Sequence, residues 1–202
     1  PLSCEFAEYG ASREDCRHFC CQAYSSSSQQ SLTHSAAAGV AAAKAAIKEF
    51  AGALQTELKA AMQAGGPVAA IGVCSTQAMP IAAQVGADHG MVLGRVSLKT
   101  RNPENAPNTW QTSVLEYFEE QKLAGKDPGS LAWSETAGTG DGQEFRFMKA
   151  IPTAGICLKC HGANLAPEVR NMLTELYPQD RATGFNEGDI RGAFVATRKL
   201  PN

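Results

Sequence analysis

The chain has 202 residues, 44% of them hydrophobic, with 18 lysines and arginines against 20 aspartates and glutamates. That length and apolar content suit one domain with a sizeable core and one extra element, and a net charge of −2 with interspersed signs gives no basic footprint for nucleic acid or a membrane surface. No run of 18 apolar residues occurs, so no transmembrane segment is expected, and the opening at Pro1 without a signal sequence reads as a processed N-terminus.

Residues 1–30 hold Cys4, Cys16, Cys20, Cys21 and the tract Ser25-Ser26-Ser27-Ser28-Gln29-Gln30, with little periodicity. They read as a cysteine-rich arm: an even set of thiols in a segment too polar to build a core is stapled most economically by two disulfides, in an oxidising compartment. Adjacent cysteines rarely pair with each other, so Cys20 and Cys21 are each expected to reach Cys4 or Cys16. His18 and His34 read as surface residues.

The remainder, 31–202, reads as one domain. From Ser31 to Ala64 the composition turns to Ala, Lys, Glu and Gln, and Val40, Ile47, Phe50, Leu54 and Leu58 recur at helical spacing, which predicts a long amphipathic helix ended by Gly65-Gly66-Pro67. Its narrow apolar stripe suits packing on its own domain, with association between chains as the alternative. The apolar run Val68 to Val73 then delivers Cys74, with Ser75 as a helix N-cap and Met79, Ile81, Ala82 and Val85 spaced as in a short helix.

A strand is expected from Met91 to Leu98, followed by a turn-rich loop from Thr100 to Pro107 whose two prolines forbid regular pairing. A helix from Thr109 to Leu123 turns Trp110, Val114, Tyr117 and Phe118 inward. Leu131–Thr136 and Glu144–Ile151 are strand-like, joined by a hairpin turn at Gly138–Gly142 that has no following helix to present amides to a phosphate. A helix from Pro167 to Tyr177 and a last strand from Ile190 to Thr197 complete the chain.

Between them stands Cys157-Leu158-Lys159-Cys160-His161, the spacing that covalent haem attachment requires: each thiol adds to one vinyl group of the porphyrin, and the tight turn sets His161 against the iron. A zinc site would need a second ligand pair at comparable spacing, and a thioredoxin-like redox site would leave His161 without a role. One covalently attached haem c is therefore expected. Once Cys157 and Cys160 are assigned, an odd number of the seven cysteines remains, and an arm that takes four leaves Cys74 free. A free buried cysteine is ordinarily a small hydrophobe, but a haem iron needs a second axial ligand or an open face.

Several stretches together carry a resemblance: Val73-Cys74-Ser75-Thr76-Gln77-Ala78, Gly94-Arg95-Val96-Ser97-Leu98-Lys99, Arg101-Asn102-Pro103-Glu104-Asn105, Met148-Lys149-Ala150-Ile151-Pro152, and Gly184-Phe185 through Gly188-Asp189-Ile190-Arg191-Gly192-Ala193-Phe194. From about Ser31 to Leu200 the chain resembles the c-type haem proteins with a PAS-like domain, first catalogued as a domain of unknown function; residues 1–30 lie outside the pattern. The resemblance implies an α+β fold, a PAS-like antiparallel five-stranded sheet with flanking helices on one side and a long N-terminal helix, with haem between sheet and helices. It also implies iron held by His161 on one side and the Cys74 thiolate on the other. Met79, Met91, Met148 and His89 are the competing distal ligands, Met79 first among them. Arg95, Arg101 and Lys149 come from stretches flanking the expected pocket and are candidate partners for the haem propionates, the other reading being a solvated strand face.

Two functions follow from this reading. The first is a low-potential electron carrier in the periplasm or another extracytoplasmic space, working with a redox partner protein. The second is a haem-based redox or gas sensor, although no kinase or cyclase segment follows to carry an output. No enzymatic activity is expected, because a peroxidase would need an open distal face with a placed acid and base, which a bound thiolate denies.

Overall fold

The structure, a computed structural model, describes residues 13–140 and 142–201, with side chains from residue 36 onward. The chain divides into two units, Pro1–Gly39 and Val40–Asn202. In the first, the described residues belong to helix α1, Arg13–Thr76, which starts well inside the segment read as an irregular arm; no glycine or proline stands between Arg13 and Ala38 to stop it. The disulfide expectation for Cys4, Cys16, Cys20 and Cys21 falls on side chains outside the described residues.

In the second unit α1 breaks where expected, at Gly65 (φ −153°) and Gly66 (φ +69°), a backbone that a side chain at residue 66 would strain. The break does not end the helix. Pro67 tolerates a first helical turn because the amide it lacks would have no partner there, and residues 67–76 run on as a second limb. Cys74 thus lies near the end of a helix, not at the entry to one, and Ser75 is no N-cap: its hydroxyl donates back to the Gly72 carbonyl at 2.7 Å. Helix α2, Ala78–Asp88, follows.

Next come β1 (Val92–Val96), α3 (Thr109–Leu123), β2 (Ala132–Thr139), β3 (Gly142–Pro152), α4 (Leu158–His161), α5 (Pro167–Leu176) and β4 (Ile190–Leu200). The strands form one antiparallel sheet in the order β1-β4-β3-β2. Among the described residues the sheet has four strands where five were expected. The apolar run 68–73, which composition alone would allow as a strand, is helical because Val68 and Ile71, three residues apart, share a face that packs against Val169 and Leu173 of α5.

The strands alternate, and each face of the sheet buries its own set. Phe145 and Phe147 of β3 and Ala196 of β4 pack under Ala43, Ala46 and Ile47 of α1. Met148, Ala150, Ala193 and Val195 pack on the opposite face under Val114, Leu115 and Phe118 of α3. Helices therefore cover both faces, where one covered face was expected. Helix α3 has the bounds expected of it and starts at a capping box, with Gln111 N donating to Asn108 Oδ1 at 3.1 Å and Asn108 N to Gln111 Oε1 at 3.0 Å. Its inward face differs by one residue: Leu115 is buried and Tyr117 is 42% exposed. No single helix among the described residues is long and apolar enough to cross a membrane.

Two joints fix the start of β4. Gly192 has φ +155°, and a Cβ there would collide with the Val96 carbonyl oxygen of the neighbouring strand. Asp189 accepts from Lys122 Nζ of α3 at 2.6 Å and from the Asn186 amide at 2.7 Å, while its own carbonyl accepts from the Thr153 amide at 2.8 Å.

Gly192→Ala should lower the unfolding free energy by about 1–3 kcal/mol, the scale of backbone strain at a disallowed φ, read as a shift in urea midpoint. The hydrogen bond from Lys122 holds the Asp189 carboxyl below its ordinary pKa. A depressed carboxyl contributes stability that is present above the ordinary carboxylate range and is lost as pH falls through the folded value. Asp189→Asn should therefore destabilise the protein by about 1–3 kcal/mol near neutral pH, with the gap to wild type closing in acid, in melts followed across pH.

Candidate functional site

The pentapeptide occupies a single-turn 3-10 segment, Gly155–Cys157, and the four-residue helix α4. A helix that short is not stable by itself, so its shape comes from what grips it. The Phe185 amide donates to the His161 carbonyl at 3.0 Å and the Gly184 amide to the Gly162 carbonyl at 3.2 Å. Arg101 reaches in from the proline-rich loop: its Nε donates to Asp180 at 3.0 Å, and its Nη2 to the carbonyls of Cys160 at 2.6 Å and Ala182 at 3.3 Å. Both members of that ion pair are buried, 9% and 10% exposed, and removing one partner of such a pair costs about 3–5 kcal/mol because the other is left uncompensated. Loop 180–185 is thereby pinned against the motif.

The pinned loop sets the state of His161. A carbonyl oxygen accepts only, so the 2.7 Å contact between His161 Nδ1 and the Ala182 oxygen makes Nδ1 the protonated nitrogen and leaves Nε2 with its lone pair. Burial first, and then the charges of Arg191 and Arg101, push the imidazole pKa down to about 2, so the ring stays neutral and able to bind a metal across the physiological range. Phe185 stands edge-on to it, with ring centres 6.3 Å apart.

Three thiols gather nearby. Cys74, Cys157 and Cys160 are all free and half-buried. Cys160 packs in the cluster of Ile71, Val169 and Leu173, and Cys74 lies three residues beyond Ile71, one turn further along the same helical face. Burial pushes the Cys160 thiol up, and its neighbours Cys74 and Cys157 add to that while Arg101 opposes it. Arg95 lies in the same group: burial lowers its pKa, against the pull of Cys74 and Tyr177. Tyr177 in turn is raised mainly by burial, with the nearby Ser75 side chain opposing the shift.

The structure thus brings together Cys74, Cys157, Cys160, His161, Arg95 and Arg101. Lys149 does not join them. Its Nζ donates to the Gly129 carbonyl, and its charged neighbours are Lys44 and Asp127, because alternation in β3 turns it to the α1 face of the sheet. Of the competing ligands, Met91 and Met148 are buried in the two sheet cores, Met79 is 57% exposed, and His89 pairs with Glu49 at 2.9 Å.

One residue of the group was not singled out from sequence. Arg191, at the start of β4, lies with Nε 3.2 Å from His161 Nδ1 and 3.5 Å from Nε2, and burial followed by repulsion from Arg101 and Arg95 lowers its pKa to about 10. The available signal was a charged residue between Ile190 and Gly192, just ahead of the apolar run 193–196. A cleft of about 340 Å³ opens between α3 and the sheet, lined in part by Phe185, Ser97, Lys99 and Leu115.

The model of the Tll0287-like family matches residues 23–198. The crystal structure of the cyanobacterial heme-protein Tll0287 is similar to this chain, at 30% sequence identity and a TM-score of 0.52 over 64% of this chain and 73% of that one. No curated protein matches. A family match spanning nearly all the described residues, with a similar solved structure beside it, means that this chain belongs to the Tll0287-like family.

Proposed function

We propose that this chain is a monohaem c-type cytochrome of low potential, with His161 and Cys74 as axial ligands, that carries electrons in an extracytoplasmic compartment. The observation that carries the reading is the His161 ring, whose Nδ1 is tied to the Ala182 carbonyl so that Nε2 carries the lone pair, beside the unpaired thiols of Cys157 and Cys160. That donor set suits covalent haem: two thiols for the vinyl groups and one neutral imidazole for the iron. The charge of the site suits it too. Arg95, Arg101 and Arg191 lie within electrostatic reach of one another with Asp180 to offset them, an excess of positive charge that the anionic edge of a porphyrin would balance. The similar solved protein is itself a haem protein.

Bound here, haem would supply a one-electron couple. The protein's part is to hold and tune it. Cys157 and Cys160 tether the group, and His161 presents a lone pair whose direction the Ala182 carbonyl sets. Cys74 is the distal candidate because the helical limb carrying it is packed against the motif, and the limb's position depends on the break at Gly65-Gly66. Thioether ligation by Met91 or Met148 would require pulling a buried side chain out of a sheet core. The distal place is then filled by the protein's own thiol, which favours electron transfer with a redox partner protein over catalysis. Four further cysteines among residues 1–21 accord with an oxidising, exported location.

Haem should stay with the protein through denaturation and acid-acetone extraction, and haem released by that treatment would end the covalent reading. Replacing Cys157 and Cys160 with alanine should leave at most a loosely held porphyrin in the same assay.

An anionic sulfur stabilises ferric iron, so the couple should lie low, and Cys74→Met should raise the midpoint by something on the order of a hundred millivolts, within the roughly 0.8 V range that axial ligands span. Met79→Ala should leave it in place. A Cys74→Ala protein that keeps the wild-type ferric spectrum and midpoint would show that Cys74 is a packing residue. Carbon monoxide separates the carrier from a gas sensor: the carrier's ferrous spectrum should be unchanged by the gas, whereas a sensor's should shift to that of the carbonyl adduct.

A further inference from the structure

Arg191 is held in an unusual way for a half-buried cation. Its Nη1 donates to Ser97 Oγ at 3.1 Å and to the Lys99 carbonyl at 3.3 Å, and its Nε lies against the His161 ring. These acceptors are all neutral, whereas the neighbouring Arg101 has a carboxylate, Asp180. Ser97, only 6% exposed, also donates to the Arg191 carbonyl at 2.8 Å, so one hydroxyl grips both the backbone and the side chain of residue 191. Phe185 closes the other flank, with the guanidinium carbon 5.3 Å from its ring centre.

The contact with His161 is not an ordinary end-on hydrogen bond. The Nδ1 proton is committed to Ala182, and Nε of Arg191 lies at nearly equal distances, 3.2 and 3.5 Å, from the two ring nitrogens. The guanidinium therefore sits beside the ring as a fixed charge and a steric stop. The imidazole is bracketed by the Ala182 carbonyl, the edge-on Phe185 ring and Arg191, and its rotation about the side-chain axis is blocked. Among the described residues no carboxylate hydrogen-bonds this guanidinium, so a charge here is not accounted for by a direct ion pair.

We infer that Arg191, gripped by Ser97 and the Lys99 carbonyl, is a positioning residue that fixes the plane of the His161 ring and sets a positive charge on the proximal side, raising the reduction potential. The inference rests on the haem reading above. Its electrostatic sense opposes two lowering influences: the Nδ1–H bond to Ala182, which makes the imidazole a stronger donor, and the thiolate proposed on the other side. A positive charge close to the iron favours its reduced, less positive state.

The test uses the full-length haem-loaded protein and its Arg191→Gln, Arg191→Lys and Ser97→Ala variants, with Arg170→Gln on the exposed face of α5 as the control. Arg191→Gln should keep its covalent haem, show a lower midpoint and shift the ferric electron paramagnetic resonance g-values. Arg191→Lys should recover most of the midpoint but not the g-values, because it restores the charge without the planar fork. Ser97→Ala should shift the g-values in the same sense as Arg191→Gln, and the control should match wild type. An Arg191→Gln protein with wild-type midpoint and g-values overturns the inference.

If wild type holds no covalent haem, the earlier reading has failed, and the bracket is judged on the haem-free chain by nitrogen-15 magnetic resonance of its histidines. His161 should then appear as the Nδ1-protonated tautomer, with ring resonances displaced in Arg191→Gln and Ser97→Ala and unmoved in the control. Unmoved His161 resonances in Arg191→Gln overturn it.

Discussion

The site depends first on the buried ion pair between Arg101 and Asp180. Through one guanidinium the chain joins three stretches distant in sequence: the proline-rich loop that carries Arg101, the Cys160 carbonyl of the motif, and the loop 180–185. A charge taken this far out of water is tolerable only with its donors satisfied, so the pair selects one arrangement of those loops over others. The Ala182 carbonyl sits within that arrangement, and the tautomer of His161 follows from it. The four-residue helix α4 has little stability apart from these contacts, so the reactive groups of the motif are ordered by the fold around them.

The sheet contributes a rigid back to this arrangement. β4 is a central strand, paired with β1 on one side and β3 on the other, and both of its faces are buried. Its first residues also belong to the site: Arg191 stands against His161, and Gly192 allows the close approach to Val96 that brings Ser97 within reach of residue 191. Arg191 itself falls at the irregularity where the β3 ladder skips from Gly192 to Ile190, and there the Ser97 hydroxyl, which donates to the Arg191 carbonyl, holds the backbone instead.

Much of the architecture was legible in the sequence where local chemistry is strong. The bounds of α3 could be read from its apolar spacing, the β2-β3 hairpin from its glycine-rich turn, and the break in α1 from Gly65-Gly66-Pro67. The misreadings fell where local signals are weak. Cys74 was expected at the entry to a helix, yet Val68 to Val73, whose pattern has no period that separates strand from helix, is a helical limb packed on α5 through Val68 and Ile71, which puts Cys74 near its end. Tyr117 and Leu115 both lie near the apolar stripe of α3, and the position of the sheet beneath selects Leu115. Lys149 shared a motif with residues before the pentapeptide, yet strand alternation turned it to the other face of the sheet.

By itself the sequence determined the reactive groups: two thiols and an imidazole at a spacing that no fold can alter, a free Cys74 left by the cysteine count, and enough helix and strand signal for an α+β chain. The tertiary structure alone decided which cations surround those groups, which nitrogen of His161 carries the proton, and that residues 67–76 bring Cys74 to the motif. The physical reason is range. Attachment spacing, caps and helix breaks are settled within a few residues, whereas a proton's place on a ring and the balance of buried charge depend on atoms such as the Ala182 oxygen and the Arg191 guanidinium, which come close only once the sheet and the loop 180–185 are in place.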